Sequence, residues 1–121
     1  MRVRVSESLS DEKVKLARRM SEKDLAAQVV DTAKTLNLLR YHTYRSTRSP
    51  SGFPDEVIVG PGGCLFRELK REGEKPTVAQ QTWLAGLSAA GEDADVWRPS
   101  DWYTGRILAE MTMLRHPRRS T

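Results

Sequence analysis

The stretch LFRELK, residues 65–70, carries an acid and a base two positions apart, Glu68 and Lys70. On an extended strand side chains alternate, so Cys64, Phe66, Glu68 and Lys70 share one face. Leu65, Arg67 and Leu69 share the other. A carboxylate and an ammonium inside an apolar run have two readings: an incidental ion pair on a solvated edge, or a site where charge is paired or binds a metal. A second carboxylate bears on the choice. Asp55 opens the run DEVIVG (55–60), and GPGG (60–63) between the two runs is turn punctuation that predicts an antiparallel hairpin. Asp55 then lies near Glu68 across the pair, and Glu68 and Lys70 have Cα atoms about 6–7 Å apart. Two carboxylates so placed repel each other, and a hard divalent cation with oxygen ligands removes that repulsion. Mg²⁺ keeps several waters, one of which can become a nucleophile. A lysine beside it can orient that water or stabilise charge developing on a phosphate.

Two further residues converge on this point. Gln80 stands three, four and seven positions before Trp83, Leu84 and Leu87, so it falls on the apolar stripe of a predicted helix, where its amide needs a partner. That partner is either the site or a backbone group that the amide caps. Glu22 stands three and seven positions before Leu25 and Val29, on the apolar stripe of another helix at its first turn.

The elements that must hold these groups follow from local pattern. A short helix is predicted over residues 10–20. SEKD (21–24) is a capping box that starts a helix ending near Asn37. Strands are predicted at 38–45, 55–60, 64–70 and 93–99. Thr77 caps a helix running to Ala90, with Gly91 closing it. Ser100 caps a last helix with Tyr103, Ile107, Met111 and Leu114 on one stripe. A strand–helix–strand crossover from 64–70 to 93–99 implies a parallel pair beside the hairpin. The expected fold is α/β, in the order helix, strand, strand, strand, helix, strand, helix: a small mixed sheet flanked by helices.

With 121 residues the chain supports one core, and 38% hydrophobic with 30% charged residues fits a globular protein with a polar surface. No run approaches the ~18 apolar residues of a membrane span, and the first ten residues do not read as a secretory leader. One cysteine, Cys64, cannot form an internal disulfide, and with two histidines it does not make a structural zinc site. The cytosol is the expected compartment. Residues 1–20 carry six Lys/Arg against three Asp/Glu, and residues 115–121 carry three Arg and no acid, so the two ends hold +6 of a net +4 and the body is −2. Basic ends suit a polyanion such as DNA, or are merely solvated.

GFPDEVIV, LFRELK and TVAQQTWLAGLSAAGEDADVWRPSDW together resemble the virus-type replication-repair nuclease (VRR-NUC) domain of the PD-(D/E)xK nuclease superfamily, over roughly residues 21–114. The resemblance implies a restriction-endonuclease-like fold and a metal-dependent endonuclease. It implies that Asp55, Glu68 and the backbone carbonyl of Leu69 bind Mg²⁺, for which Mn²⁺ substitutes, that Lys70 positions the water, and that Gln80 and Glu22 match the family's glutamine and first-helix acid. Short members of the family are nucleases of phages and bacteria, several similar to homodimeric Holliday-junction resolvases. The chain then divides into a basic arm (1–20), a nuclease domain (21–114) and a basic tail (115–121), with DNA as its partner and no small-molecule cofactor or membrane.

Other residues have a plainer alternative beside the functional one. Arg45 and Arg48 precede Asp55 and can clamp phosphate, or belong to a solvated loop. Arg71 and Lys75 can track a DNA backbone, or solvate a turn. His42 reads as a satisfied strand histidine, and Trp83 and Trp97 as core. Trp97, Trp102, Tyr103, Ile107 and Met111 exceed what a thin sheet needs, so some are expected to be exposed at a dimer interface. The reading that competes with an enzyme is a DNA-binding module with a degenerate site. A sequence-specific restriction enzyme would need more room for a recognition domain than 121 residues offer.

Overall fold

The computed structural model describes residues 9–44 and 48–118. Helix α1 (Asp11–Arg19) starts where Ser10 accepts from the Lys13 amide, and it packs against the short helix Pro99–Tyr103. Helix α2 (Glu22–Thr35) starts on the Ser21–Asp24 capping box and ends before Asn37, whose φ is +58°. The strands are β1 (Leu39–His42), β2 (Glu56–Gly60), β3 (Gly63–Leu69) and β4 (Asp93–Trp97). Helix α3 (Val78–Ala89) connects β3 to β4, and α4 (Pro99–Tyr103) and α5 (Arg106–Met113) follow. The sheet order is β1-β2-β3-β4, antiparallel across the first two pairs and parallel across the third. This is the expected α/β architecture.

The last helix departs from expectation. The apolar stripe through Tyr103, Ile107 and Met111 is continuous in sequence, yet Gly105 adopts φ +83° and breaks the run into two helices. A left-handed residue cannot continue a right-handed helix, and glycine takes that conformation at no steric cost. Ser100 lies inside the first turn of α4 instead of capping it. The Arg98 amide donates to Asp101 there, at 2.8 Å.

One face of the sheet carries the core. Ile58, Leu65, Leu69 and Trp97 pack against Leu25, Val29 and Ala33 of α2 and Ile107 and Met111 of α5. Trp97, Ile107 and Met111 are fully buried, so the apolar surplus expected at an interface is spent inside the molecule. The other face is only partly covered. Helix α3 lies beside β4 and has no fully buried residue. Trp83, expected in the core, is 37% exposed and stands edge-on to Phe53, which in turn meets Phe66. Beyond this aromatic stack, Leu39, Tyr41 and Val59 of β1 and β2 face solvent.

The core side also holds charge. Arg67 is fully buried, and its guanidinium donates to Glu110 and Asp93, at 2.9 Å each, and to the Asp93 carbonyl. Glu110 also accepts from the Trp97 indole at 2.9 Å and from Arg106 at 2.7 Å. Burial alone would raise the Glu110 carboxyl, but Arg67, Trp97 and Arg106 outweigh it and hold it below the ordinary carboxylate range. A depressed folded-state pKa contributes stability above the unfolded pKa and loses it as pH falls through the folded value. Glu110→Ala leaves Arg67 buried with too few partners and should cost about 3–5 kcal/mol in a urea titration at pH 7. Glu110→Gln should flatten the decline of stability below about pH 4.5. An unchanged acid limb would mean that this ion pair does not couple folding to pH.

Candidate active site

The sheet brings its candidate groups together at one end, where β2 begins and β3 finishes. Asp55 immediately precedes β2, and its Oδ2 accepts from the Leu69 amide at 2.8 Å. That bond fixes the Asp55 carboxylate beside the last turn of side chains on β3. Glu68, one residue earlier, is 2% exposed. Its Oε1 accepts from the Gln80 amide at 3.3 Å, while Oε2 is buried with no hydrogen-bond partner among the described residues. Burial foremost, and the adjacent Asp55 carboxylate after it, together push the Glu68 carboxyl up to about 9, with the Lys70 ammonium only partly offsetting them.

Gln80 serves two groups at once. Its amide nitrogen reaches Glu68, and its oxygen accepts from the Thr77 amide at 2.8 Å, closing a capping box at the start of α3. One end of the amide therefore caps a backbone group while the other reaches the Glu68 carboxylate. Helix α3 is itself held in place by the loop before Asp55. Gly52, at φ +98°, approaches so closely that a Cβ there would lie 2.5 Å from the Ala79 carbonyl. The Thr43 amide and hydroxyl tie the end of β1 to the carbonyls of Asp55 and Pro54, both at 2.8 Å.

Glu22, at the first turn of α2, is half-buried. Burial raises its carboxyl, Lys70 opposes that, and Asp55 adds to it, so Glu22 sits within electrostatic reach of both. Arg71 acts on the same carboxyl from an exposed position. Arg48 and Lys75 are exposed on the loop before Asp55 and the turn before α3. Arg45 lies outside the described residues.

The donor set can be tested against a divalent cation. Among the described residues no group of three or more His, Cys, Asp or Glu side chains is gathered to hold a metal. What is present is two carboxylates side by side, one with an oxygen buried and unpartnered. Such a pair cannot carry two charges without a counter-cation, and all its donors are hard oxygens. This fits a cation such as Mg²⁺, which keeps part of its water shell and accepts few protein ligands.

No known family's sequence pattern matches the chain, and no curated protein does. A solved structure described as a VRR_NUC domain protein superposes with a TM-score of 0.55 and 19% identity, over 78% of this chain and 88% of that one. The likeness is one of fold, and the chain has the VRR-NUC fold.

The close approach of Gly52 to Ala79 is the joint between the Asp55 loop and the helix bearing Gln80. Gly52→Ala meets both the clash and a left-handed backbone, which alone costs about 1–3 kcal/mol. The urea midpoint should fall accordingly, and an unchanged midpoint would mean that the loop does not rest on α3.

Proposed function

We propose that the chain is a metal-dependent endodeoxyribonuclease that hydrolyses phosphodiester bonds, acting on branched DNA of the Holliday-junction kind. The observation that carries this reading is the Asp55–Glu68 pair, in which Glu68 is buried with one oxygen unpartnered among the described residues, next to Lys70. The fold shared with a protein described as a VRR_NUC domain supports it. Asp55, Glu68 and the Leu69 carbonyl would hold Mg²⁺, or Mn²⁺ in its place, which supplies a Lewis acid and an activated water when bound. Lys70 orients the attacking water and offsets charge growing on the phosphate oxygens. The water oxygen bonds to phosphorus, the bond to the leaving sugar oxygen breaks, and that oxygen takes up a proton. Gln80 keeps the Glu68 carboxylate aimed, and Glu22 tunes the field around Lys70. Arg45, Arg48, Arg71 and Lys75 contact phosphates on either side, and the basic ends of the chain add affinity that carries no sequence information. Such work belongs in the cytosol of a bacterium or of a phage-infected host. No described helix is long and apolar enough to cross a membrane.

A DNA-binding module without cleavage is the competing reading, favoured by the presence of two carboxylates at the site where many metal centres gather three side chains. Turnover separates the two. With Mg²⁺ the protein should cut labelled four-way or flapped DNA, and Asp55→Ala, Glu68→Ala and Lys70→Ala should each abolish cutting while the far-UV circular dichroism spectrum is retained. Gln80→Ala should cut more slowly, and Glu22→Ala should lose less. Any of the three central variants that turns over like wild type is removed from the mechanism.

A four-way junction has two-fold symmetry and needs two nicks, which a homodimer supplies. The apolar surface available for pairing is the open sheet face, where Leu39 is 73% and Tyr41 64% exposed, not the region around Trp97. Light scattering at micromolar concentration should give twice the 13.7 kDa of one chain. A stable mass of 13.7 kDa with and without junction DNA would end the resolvase reading and leave the nuclease reading standing.

A further inference from the structure

The aromatic stack on the open face of the sheet adjoins the two carboxylates, and two chains of contact place Trp83 there. Along α3, Trp83 stands three positions after Gln80, so the two are neighbours on the helix surface, with Cβ atoms about 5–6 Å apart. The Gln80 amide itself reaches Glu68 at 3.3 Å. Across the sheet, the Trp83 ring meets Phe53 with centroids 5.2 Å apart and planes at 79°, and Phe53 meets Phe66 at 6.2 Å. Phe53 is two residues before Asp55, and Phe66 is two residues before Glu68 on the same face of β3. The indole thus stands beside the acid pair, one helical turn from the group that touches Glu68. It is backed by two rings, yet 37% of its surface is open to solvent.

The order of chemistry along β3 says what such a surface fits. Phe66, Glu68 and Lys70 follow one another at two-residue intervals: an aromatic ring, a carboxylate and an ammonium. The Lys70 charge acts on Glu68, and the exposed Arg71 and Lys75 continue the positive end. A nucleotide is divided in the same way, with its negative charge at the phosphate and its π surface at the base. A phosphate drawn to Lys70 and to a cation on the two carboxylates leaves the aromatic side for a base. We infer that Trp83, backed by Phe53 and Phe66, is the surface on which an unpaired base beside the scissile phosphate stacks, and this rests on the nuclease reading of the Asp55–Glu68 site. Inside a duplex both faces of every base are already stacked, so a free face is found only at a branch point, a flap or a single strand. Stacking tolerates any base, because every base has a π face. The substrate class is therefore a strand with an unpaired nucleotide at the cut, in any sequence. The packing of Phe53 against the indole limits its orientations, so less freedom is lost when a base settles on it.

The test uses the full chain and three DNAs: a duplex with a flap of thymidines, the same duplex with an abasic flap, and a fully paired duplex. Binding is read in EDTA, without cleavage, by anisotropy of a label on the DNA and by the protein's tryptophan emission. Trp97 is fully buried and Trp102 half-buried, so Trp83 is the indole most open to a base. The thymidine flap should quench wild-type emission more than the abasic flap does. Trp83→Leu keeps an apolar side chain without a π face, and should bind the thymidine flap about 5- to 150-fold more weakly. Trp83→Phe should bind closer to wild type than to Trp83→Leu. On the abasic flap and the paired duplex all three should bind alike. Equal quenching of wild type by the two flaps overturns the proposal, and this result needs no variant to fold. So does equal binding of the thymidine flap by wild type and Trp83→Leu, or a loss in Trp83→Leu that is the same on all three DNAs, since that describes a general contact. A fall in molar mass of Trp83→Leu by light scattering overturns it in favour of a second copy of the chain at this surface. Cleavage with Mg²⁺ is scored separately. Base-dependent quenching without cleavage keeps the stacking surface and ends the nuclease reading, whereas cleavage with binding indifferent to Trp83→Leu does the reverse. A wild-type protein that binds none of these DNAs overturns both.

Discussion

Glu68 is buried beside Asp55, and an ionised carboxyl in that position loses its water without gaining a full set of partners. The cost of a buried charge is several kcal/mol unless it is paired, so the surroundings must be built to hold it. Three elements share that task. The Leu69 amide grips Asp55, the Gln80 amide reaches Glu68, and Lys70 brings a positive charge to the same end of the sheet. The Asp55 contact depends on the β2–β3 pairing, and the Gln80 contact on the start of α3 and on the loop at Gly52 that sets α3 against the Asp55 strand. A site with an unpartnered oxygen is under-satisfied as a piece of folded protein, and function is the usual reason such a defect is kept.

The rest of the molecule keeps that end rigid with further buried charge. Glu56, next to Asp55 in sequence but on the opposite face of the sheet, is paired with Arg40 and bonded to His42. Arg67, next to Glu68 and also on the opposite face, is neutralised by Glu110 and Asp93. Each candidate ligand therefore has a strand neighbour tied into the core side by an ion pair. Sliding either strand by one residue would exchange its faces and leave its two charges misplaced. Sheet register and site geometry are in this way the same constraint. Removing Glu110 leaves the buried Arg67 with fewer partners and threatens the fold.

How far the fold was legible in the sequence depended on the range of the interactions. Capping by Ser21 and Thr77, the hairpin at GPGG and the crossover through α3 are local patterns, and the structure has them all. The proximity of Asp55 and Glu68 followed from the hairpin. The break at Gly105 was missed because the stripe of Tyr103, Ile107 and Met111 runs on across the glycine; the glycine itself was the available signal. The Arg67–Glu110 pair was missed because 43 positions separate its members, although each lay on an apolar stripe where a charge needs a partner. Trp83 looked like core because its helix is apolar, and only the tertiary structure shows that α3 rides on the rim of a sheet too small to bury it. The role of Gly52 depends on a contact with Ala79 that no local pattern encodes.

A crystal of the wild-type protein soaked in Mn²⁺ and measured at the manganese absorption edge tests the central claim most directly. The account predicts one anomalous peak per chain, within about 2.0–2.4 Å of a carboxylate oxygen of Asp55 and one of Glu68, close to the Leu69 carbonyl. An empty site between the two carboxylates at millimolar Mn²⁺, or a peak held by other residues with Asp55 and Glu68 unmoved, would contradict it.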